Sequence, residues 1–501
     1  MAEHEKRLRA GDTFIESVRN VMASQQNSFS RNFRGKNNEI IKKLPGIIRL
    51  FQETPFKLLL GCYDQLRFGA EYLNKTVNSF LCLDSSGKLW GEPQRKNLPK
   101  KLNTALVFPP IGKGESPFPI FEMISESNKT IDFIIFFQYA WHNMGKTVND
   151  QRVKYPAVIV SDISWANVHS ILDFFMKETI KYYLINMFGS LTKGEDHKYT
   201  TVLAICENHL RPALLKSARE MMQNKVLADT TVAGVMLMLQ AANFTSAVEI
   251  WNNLVKIHCS KNVDKVAQEC VKAYSALTFT EDEDLENLLI QEFLSNSDDP
   301  DDIVRYGKKE AIRANSPFFN FFMKAIEKIE FLENNIDAVK NPYWCPKLLK
   351  MICKQYLSLY PLFSACVLPD SICGLRNNSY VELYWEESKR ILKNVPKRLL
   401  WPPTYLGTMF ENIQNRATEL HTKKFIPNVR TGGKVKEKKT VSFIQQMDQQ
   451  VFGYRKGSKV SRMKIYITNL TNSLNKRKLK RLKVGDRTQI SIHLEIYPFK
   501  V

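Results

Sequence analysis

The sequence predicts an α/β fold: a mixed sheet at the centre, helices around it, and a large helical insertion before the last acidic residue of interest. Three observations carry this expectation. Tyr155-PAVIVSD and Val202-LAIC are continuous apolar, β-branched runs of the kind that buried central strands show. Each is followed by a segment with helical spacing, Ser164-WANVHSILDFFM and Leu210-RPALLKSAREMMQN. From about residue 221 to residue 340 apolar residues recur at i, i+3 and i+4 with few strand signals, as in VMLMLQAANFTSAVEIWNNLVKIH.

The remaining elements follow in order. Residues 1–77 read as a basic, helical N-terminal region. Residues 78–220 read as the core. It opens with a strand–turn–strand unit, Ser79-FLCLD, then Ser-Ser-Gly, then Thr104-ALVFPP. Thr130 to Asn143 is apolar at helical spacing, Ser164 is placed to cap the helix after the second buried strand, and Pro212 falls in the first turn of the helix expected from Leu210. An acidic, turn-rich stretch, Thr280-EDEDLENLL through Ser297-DDPDD, lies inside the helical insertion at 221–340. Residues 341–427 complete the core with helices, among them Asn377-NSYVELYWEESKRIL.

The chain has 501 residues, room for two to four domains at roughly 150 residues each. Hydrophobic residues make up 44% and charged residues 25%, which excludes wholesale disorder and fibrous repeats. Lys and Arg total 72 against 51 Asp and Glu, a net charge of +21 that points to a polyanionic partner. The excess is concentrated: His421 to Val501 holds 20 basic and 4 acidic residues. Within it, the basic tail 428–501 opens on a linker-like run with Gly432 and Gly433 and contains KRKLKRLK, in which Lys476, Arg477, Lys478, Lys480, Arg481 and Lys483 are placed for nucleic-acid contact, nuclear import or both. It closes on Gln489-ISIHLEIYPF, whose alternation predicts a strand. The apolar run IDFIIFFQYAW is about half the roughly 20 residues a bilayer requires, so no membrane partner is expected. No secretory signal is read at the N-terminus, and nine cysteines without a C-x-x-C pair fit neither a disulfide scaffold nor a zinc finger.

Three carboxylates occupy telling positions. Asp84 ends the strand FLCLD, Asp162 ends YPAVIVSD, and Glu382 lies on the helix that Asn377-Asn378-Ser379 opens. Acids at strand ends converge at one rim of a sheet, and a helix crossing that rim adds a third; such hard oxygen donors bind Mg²⁺ or Mn²⁺. Two such ions support in-line displacement at phosphorus. Each acid also has a plainer role open to it: a turn former at Asp84, part of a helix cap at Asp162, a solvated helix face at Glu382. Cys206 and His209 stand three apart, too few ligands for a structural zinc and suited to a structural or DNA-positioning role. His258 and Cys259, with His142 and His169, read as ordinary helix residues.

Four of these segments, in this order, resemble the motifs of Mutator-like transposases. FLCLDSSGKLW is similar to the first motif, VIVSDISWANVHSILDFF to the second, AICENHLRPALLK to the Cys-x-x-His element after the second Asp, and RNNSYVELYWEESKRIL to the Asn-Asn-x-x-Glu helix. The resemblance spans about Phe56 to Glu419. It implies an RNase H-like fold, with Asp84, Asp162 and Glu382 as catalytic ligands of two Mg²⁺ or Mn²⁺ ions. It further implies DNA as substrate, at transposon ends and target, a nuclear location, and work as a homo-oligomer. Two departures keep a second reading open, a catalytically inactive DNA-binding or regulatory derivative: Ser85 and Ser86 stand where many relatives have Ala or Gly then Thr, and no Cys/His-rich finger precedes the core.

Overall fold

The computed structural model describes residues 47–86, 102–110, 117–222, 224–277, 298–333, 339–369, 372 and 379–393, with short pieces at 18–19, 32–34 and 40–43. Contacts divide the chain into two units, 1–435 and 436–501, and all of the described residues belong to the first. The basic segment 428–501, its KRKLKRLK run and the strand expected from Gln489 lie outside them, as does 394–427 of the stretch expected to complete the core.

The architecture is α/β, and its centre is a seven-stranded mixed sheet. A separate two-stranded antiparallel ribbon, β1 (Asn32–Arg34) and β2 (Ile40–Lys43), precedes it. The sheet comprises β3 (Ile48–Gln52), β4 (Lys57–Leu60), β5 (Phe80–Ser86), β6 (Leu102–Phe108), β7 (Phe118–Ser125), β8 (Val158–Ser161) and β9 (Val202–Ile205), in the order β3-β4-β7-β6-β5-β8-β9. Pairings from β3 to β5 are antiparallel, and β5-β8 and β8-β9 are parallel. Every residue of β8 (VIVS) and β9 (VLAI) is buried, the expected environment of parallel strands covered on both faces.

Helix α1 (Tyr63–Lys75) packs on β7 and on α2 (Thr130–Thr147), which in turn packs on α3 (Trp165–Ile171). α3 runs into a π-helical turn, Leu172–Met176, that ends at Lys177 with φ +56°. Trp141, Phe174 and Phe175 fill the joint, with the Trp141 and Phe175 rings 4.8 Å apart edge to face. Next come α4 (Ile180–Lys193) and α5 (Glu207–Met221).

Helices fill the described part of the stretch read as an insertion: α6 (Lys225–Leu239), α7 (Phe244–Cys259), α8 (Lys265–Ser275), α9 (Pro300–Tyr306), α10 (Lys309–Ala314) and α11 (Pro317–Leu332), while 278–297, with the acidic run from Thr280, lies outside the described residues. Asn224, Asn243 and Asp264 each accept a backbone N–H in the first turn of the helix that follows, so side chains cap α6, α7 and α8. Phe244, Phe318, Phe322 and Tyr360 form one aromatic cluster, and the buried Trp251 indole donates to the Phe322 carbonyl at 3.2 Å. The chain continues through α12 (Pro346–Gln355) and α13 (Tyr360–Phe363) to α14 (Ser379–Lys393), which lies across β5 and β6.

Several expectations need correction. Residues 1–77 are not helical throughout: β3 and β4 extend the central sheet, and β1 and β2 form the ribbon. β7 and α4 were not foreseen. α5 begins at Glu207, ahead of the expected Leu210, so Pro212 sits in its second turn and offers no N–H to the Asn208 carbonyl. Ser164 does occupy the position before α3, but its side chain makes no capping hydrogen bond; its N–H donates to the Asp162 carbonyl at 2.9 Å.

Lys57 explains why β4 is hard to read. A lysine at the head of a buried KLLL strand looks misplaced until its partner is known: Nζ lies 2.5 Å from Asp132 Oδ1, with the two side chains 3% and 6% exposed. Asp132 Oδ2 also accepts the Lys129 N–H at 3.2 Å, so one carboxylate fixes the first turn of α2 and ties it to the sheet. Removing one member of a buried pair leaves the other charge uncompensated, at a cost of about 3–5 kcal/mol. Lys57→Met is therefore expected to lose about that much stability in urea denaturation, and a loss below ~1 kcal/mol would show that the pair does not anchor α2.

Candidate functional site

The site is assembled by strand register. β5 and β8 run parallel with Leu83 opposite Ser161, so the next residue on each strand path, Asp84 and Asp162, emerges side by side at the same end of the sheet. Both are buried, at 7% and 3% exposure. Their carboxyl groups are close enough for the charge of one to oppose ionisation of the other. Burial, reinforced by the Asp162 charge, raises the Asp84 pKa well above the usual carboxylate range, while His209 and the Ser85 N–H act against that rise. The Ser85 N–H donates to Asp84 Oδ1 at 2.6 Å. The Ser85 and Thr104 hydroxyls meet across the β5-β6 pair at 2.8 Å.

α14 covers the face that carries Asp84. Phe80, Cys82 and Asp84 alternate along β5 and share one face. Tyr380 meets Phe80 edge-on at 6.1 Å, and the Val381 backbone hydrogen-bonds the buried Cys82 thiol. The next residue is Glu382, half-buried, with the Asn208 side chain donating to its carboxylate. Burial raises the Glu382 pKa; His209 lowers it and Asp84 adds to the rise. Burial also raises the pKa of Cys82 well above the usual thiol range, with smaller contributions from Asp84, Glu382 and Asp162. The three acids thus lie within electrostatic reach of one another.

The start of α5 completes the group. The Cys206 N–H donates to the Ser161 carbonyl at 2.9 Å, which pins the head of α5 to the end of β8 beside Asp162. Cys206 occupies the N-cap position and is fully buried; His209 follows one turn on, on the same side of the helix. His209 Nδ1 is 3.2 Å from Asp162 Oδ1, close enough for an ion pair when the imidazole is protonated, although the nitrogen is not aligned for a hydrogen bond. Ligand atoms of Cys206, His209 and Glu382 all lie within 4.8 Å of one another.

The structure therefore brings together Asp84, Asp162, Glu382, Cys206 and His209. Lys476, Arg477, Lys478, Lys480, Arg481 and Lys483 lie outside the described residues. His258 is a core residue, with its ring nitrogens on Thr231 Oγ1 and the Tyr343 carbonyl. His169 is buried against Tyr306, the rings stacked 4.2 Å apart, and burial drives its pKa down to about 3, so it stays neutral. Sequence reasoning missed the meeting of Glu382 with the Cys-x-x-His pair, and the part of Asn208. A polar run at the head of a predicted helix, Glu207-Asn208-His209, was the signal available. No protein-family model, curated protein or solved structure matches this chain.

The residues suit a divalent cation. Two buried carboxyl groups in contact carry both a desolvation and a like-charge penalty, and a cation of high charge density relieves both. Without the ion, Asp84 costs stability at neutral pH. A carboxyl whose pKa is raised by folding binds more protons folded than unfolded between the two pKa values, so stability falls as pH rises through that window. Asp84→Asn, which keeps an oxygen for the Ser85 N–H, is expected to raise the melting midpoint in EDTA at pH 7 by about 2 °C or more. The gain should shrink towards pH ~4, where the unfolded carboxyl is also protonated. Calorimetry across that range is the check, and an unchanged or lower midpoint at pH 7 would contradict it.

Proposed function

We propose that the protein is a metal-dependent nuclease of the transposase type, which cleaves and joins DNA phosphodiesters through Asp84, Asp162 and Glu382. The observation that carries this reading is the placement of Asp84, in β5 just past its parallel pairing with β8, beside Asp162, which directly follows β8, with Glu382 brought to the same face by α14. A mixed sheet with one acid on β5 and the next directly after its parallel neighbour β8 is compatible with the RNase H-like core that the motif resemblance implies.

In this reading the three carboxylates would hold Mg²⁺ or Mn²⁺. Such ions activate the attacking oxygen and stabilise the departing one. The protein contributes position and a low-dielectric setting. The parallel register fixes the two aspartates, the Ser85 N–H orients Asp84, and Asn208 orients Glu382. His209 beside Asp162 offsets part of the negative charge when protonated. No side-chain general base is required near the three acids. The basic segment 428–501 supplies phosphate contacts, and KRKLKRLK serves nuclear import or those contacts. Assembly as a homo-oligomer on paired DNA ends belongs to the same proposal. Among the described residues no helix is long and apolar enough to cross a membrane.

Two measurements test the reading. Asp162→Asn keeps shape while removing a ligand charge worth several kcal/mol, so Mn²⁺-dependent cleavage of duplex DNA is expected to fall on the order of 10³-fold with the far-ultraviolet circular dichroism unchanged; full activity of this variant would sink the assignment. Deleting residues 428–501 should flatten the salt dependence of DNA binding. The log–log slope is about −0.9 per phosphate contacted, and an unaltered slope would remove the segment from the interface. Salt-sensitive binding by a wild-type protein that cuts no DNA would select the non-catalytic, transposase-derived alternative.

A further inference from the structure

We propose that Cys206, His209 and Glu382 form a second metal site, specific for a thiophilic ion of the Zn²⁺ type and chemically distinct from the Asp84–Asp162 pair. The donor set is one sulfur, one imidazole nitrogen and one carboxylate oxygen, all within 4.8 Å of one another. Ligand atoms around a tetrahedral zinc stand about 3.3–3.6 Å apart, given its bond lengths to sulfur, nitrogen and oxygen. Side-chain rotations of about an ångström therefore close the set onto an ion. Thiolate and imidazole select zinc over magnesium and manganese, whereas the carboxyl pair next door selects the reverse.

The surroundings favour this use. Two of the donors come from one rigid turn, the N-cap and third residue of α5, and the backbone bond from Cys206 to Ser161 holds that turn against β8. The third donor comes from α14, already oriented by Asn208, itself a residue of that first turn. Asp162 stands 3.2 Å from His209 Nδ1, and a rotation of the ring into hydrogen-bond alignment would give the carboxylate–imidazole pair that metal-bound histidines keep. The Cys206 side is closed to solvent and the His209 side is 16% exposed, so three protein ligands and one open position result.

Glu382 would then serve two sites. An ion held by Cys206 and His209 draws Glu382 away from Asp84 and Asp162, so Zn²⁺ acts as an antagonist of the Mg²⁺ or Mn²⁺ chemistry. The zinc site stands on the donor geometry alone, and the antagonism rests on the nuclease reading above.

Cobalt(II) reports the first part without any assay of activity, because a cobalt–thiolate bond gives an intense charge-transfer band in the near ultraviolet. The full-length protein is expected to take up one Co²⁺ with that band, and Zn²⁺ should displace it. Cys206→Ser should abolish the band, and Glu382→Gln should weaken Zn²⁺ affinity by at least ~10-fold in chelator competition. Asp84→Asn and the control Cys345→Ser should keep the band. Melting midpoints in EDTA certify the folds; if Cys206→Ser melts early, His209→Asn carries the same test at a more exposed position. A band of full intensity in Cys206→Ser, no band in the wild type, or Zn²⁺ affinity indifferent to Glu382→Gln each overturns the site. Zn²⁺ should also slow Mn²⁺-dependent DNA cleavage by the wild type, with the block relieved in Cys206→Ser. Absence of cleavage in every protein defeats the nuclease reading while the cobalt band remains to judge the zinc site.

Discussion

The parallel pairing of β5 with β8 is the constraint on which the site depends. Opposing Leu83 to Ser161 commits Asp84 and Asp162 to adjacent exits from the sheet. A slip of one residue along either strand would turn the whole run to the other face and separate the acids. The pairing is secured by burial: Leu81, Cys82, Leu83, Val158, Ile159 and Val160 are all fully enclosed. The apolar core thus supplies the free energy that holds two mutually repelling carboxyl groups in contact.

Such a pair would be eliminated from a structure selected for stability alone. Buried charges persist where they are paired, protonated or coordinated. Lys57 and Asp132 show the first way, with a cation supplied by the chain itself. At Asp84 and Asp162 the basic neighbour is the imidazole of His209. In the proposed reading, this second place is where a divalent cation would supply the missing charge.

Much of this was legible in the sequence because the relevant strands are of the simplest kind. β8 and β9 are β-branched and buried on both faces, so composition alone announces them, and the acid that ends β8 announces itself as the first charge after the run. β7 was not legible. FPIFEMIS carries Pro119 and Glu122 within a fully buried strand, and such residues argue against a central strand until the pairing is known. β4 was hidden in the same way by Lys57, whose partner Asp132 belongs to a helix far along the chain. Local pattern reports the average environment of a residue type, and it fails where tertiary structure supplies an individual partner.

The meeting of Glu382 with Cys206 and His209 lies beyond local pattern for a different reason. The spacing of Cys206 and His209 fixes their shared helix face, and the helix around Glu382 is amphipathic enough to be read. What spacing does not give is the crossing of α14 over β5, which the Phe80–Tyr380 and Cys82–Val381 contacts set. That crossing makes Glu382 a shared resource. Its carboxylate stands between a hard pair of acids and a soft pair of donors, and the Asn208 amide holds it on the soft side. In the proposed reading, an ion entering at Asp84 and Asp162 would have to recruit Glu382 against that hold. The position of one side chain on α14 therefore couples the two donor sets. Such a coupling would be reciprocal by thermodynamic necessity: an ion on one set would weaken binding at the other by the same factor.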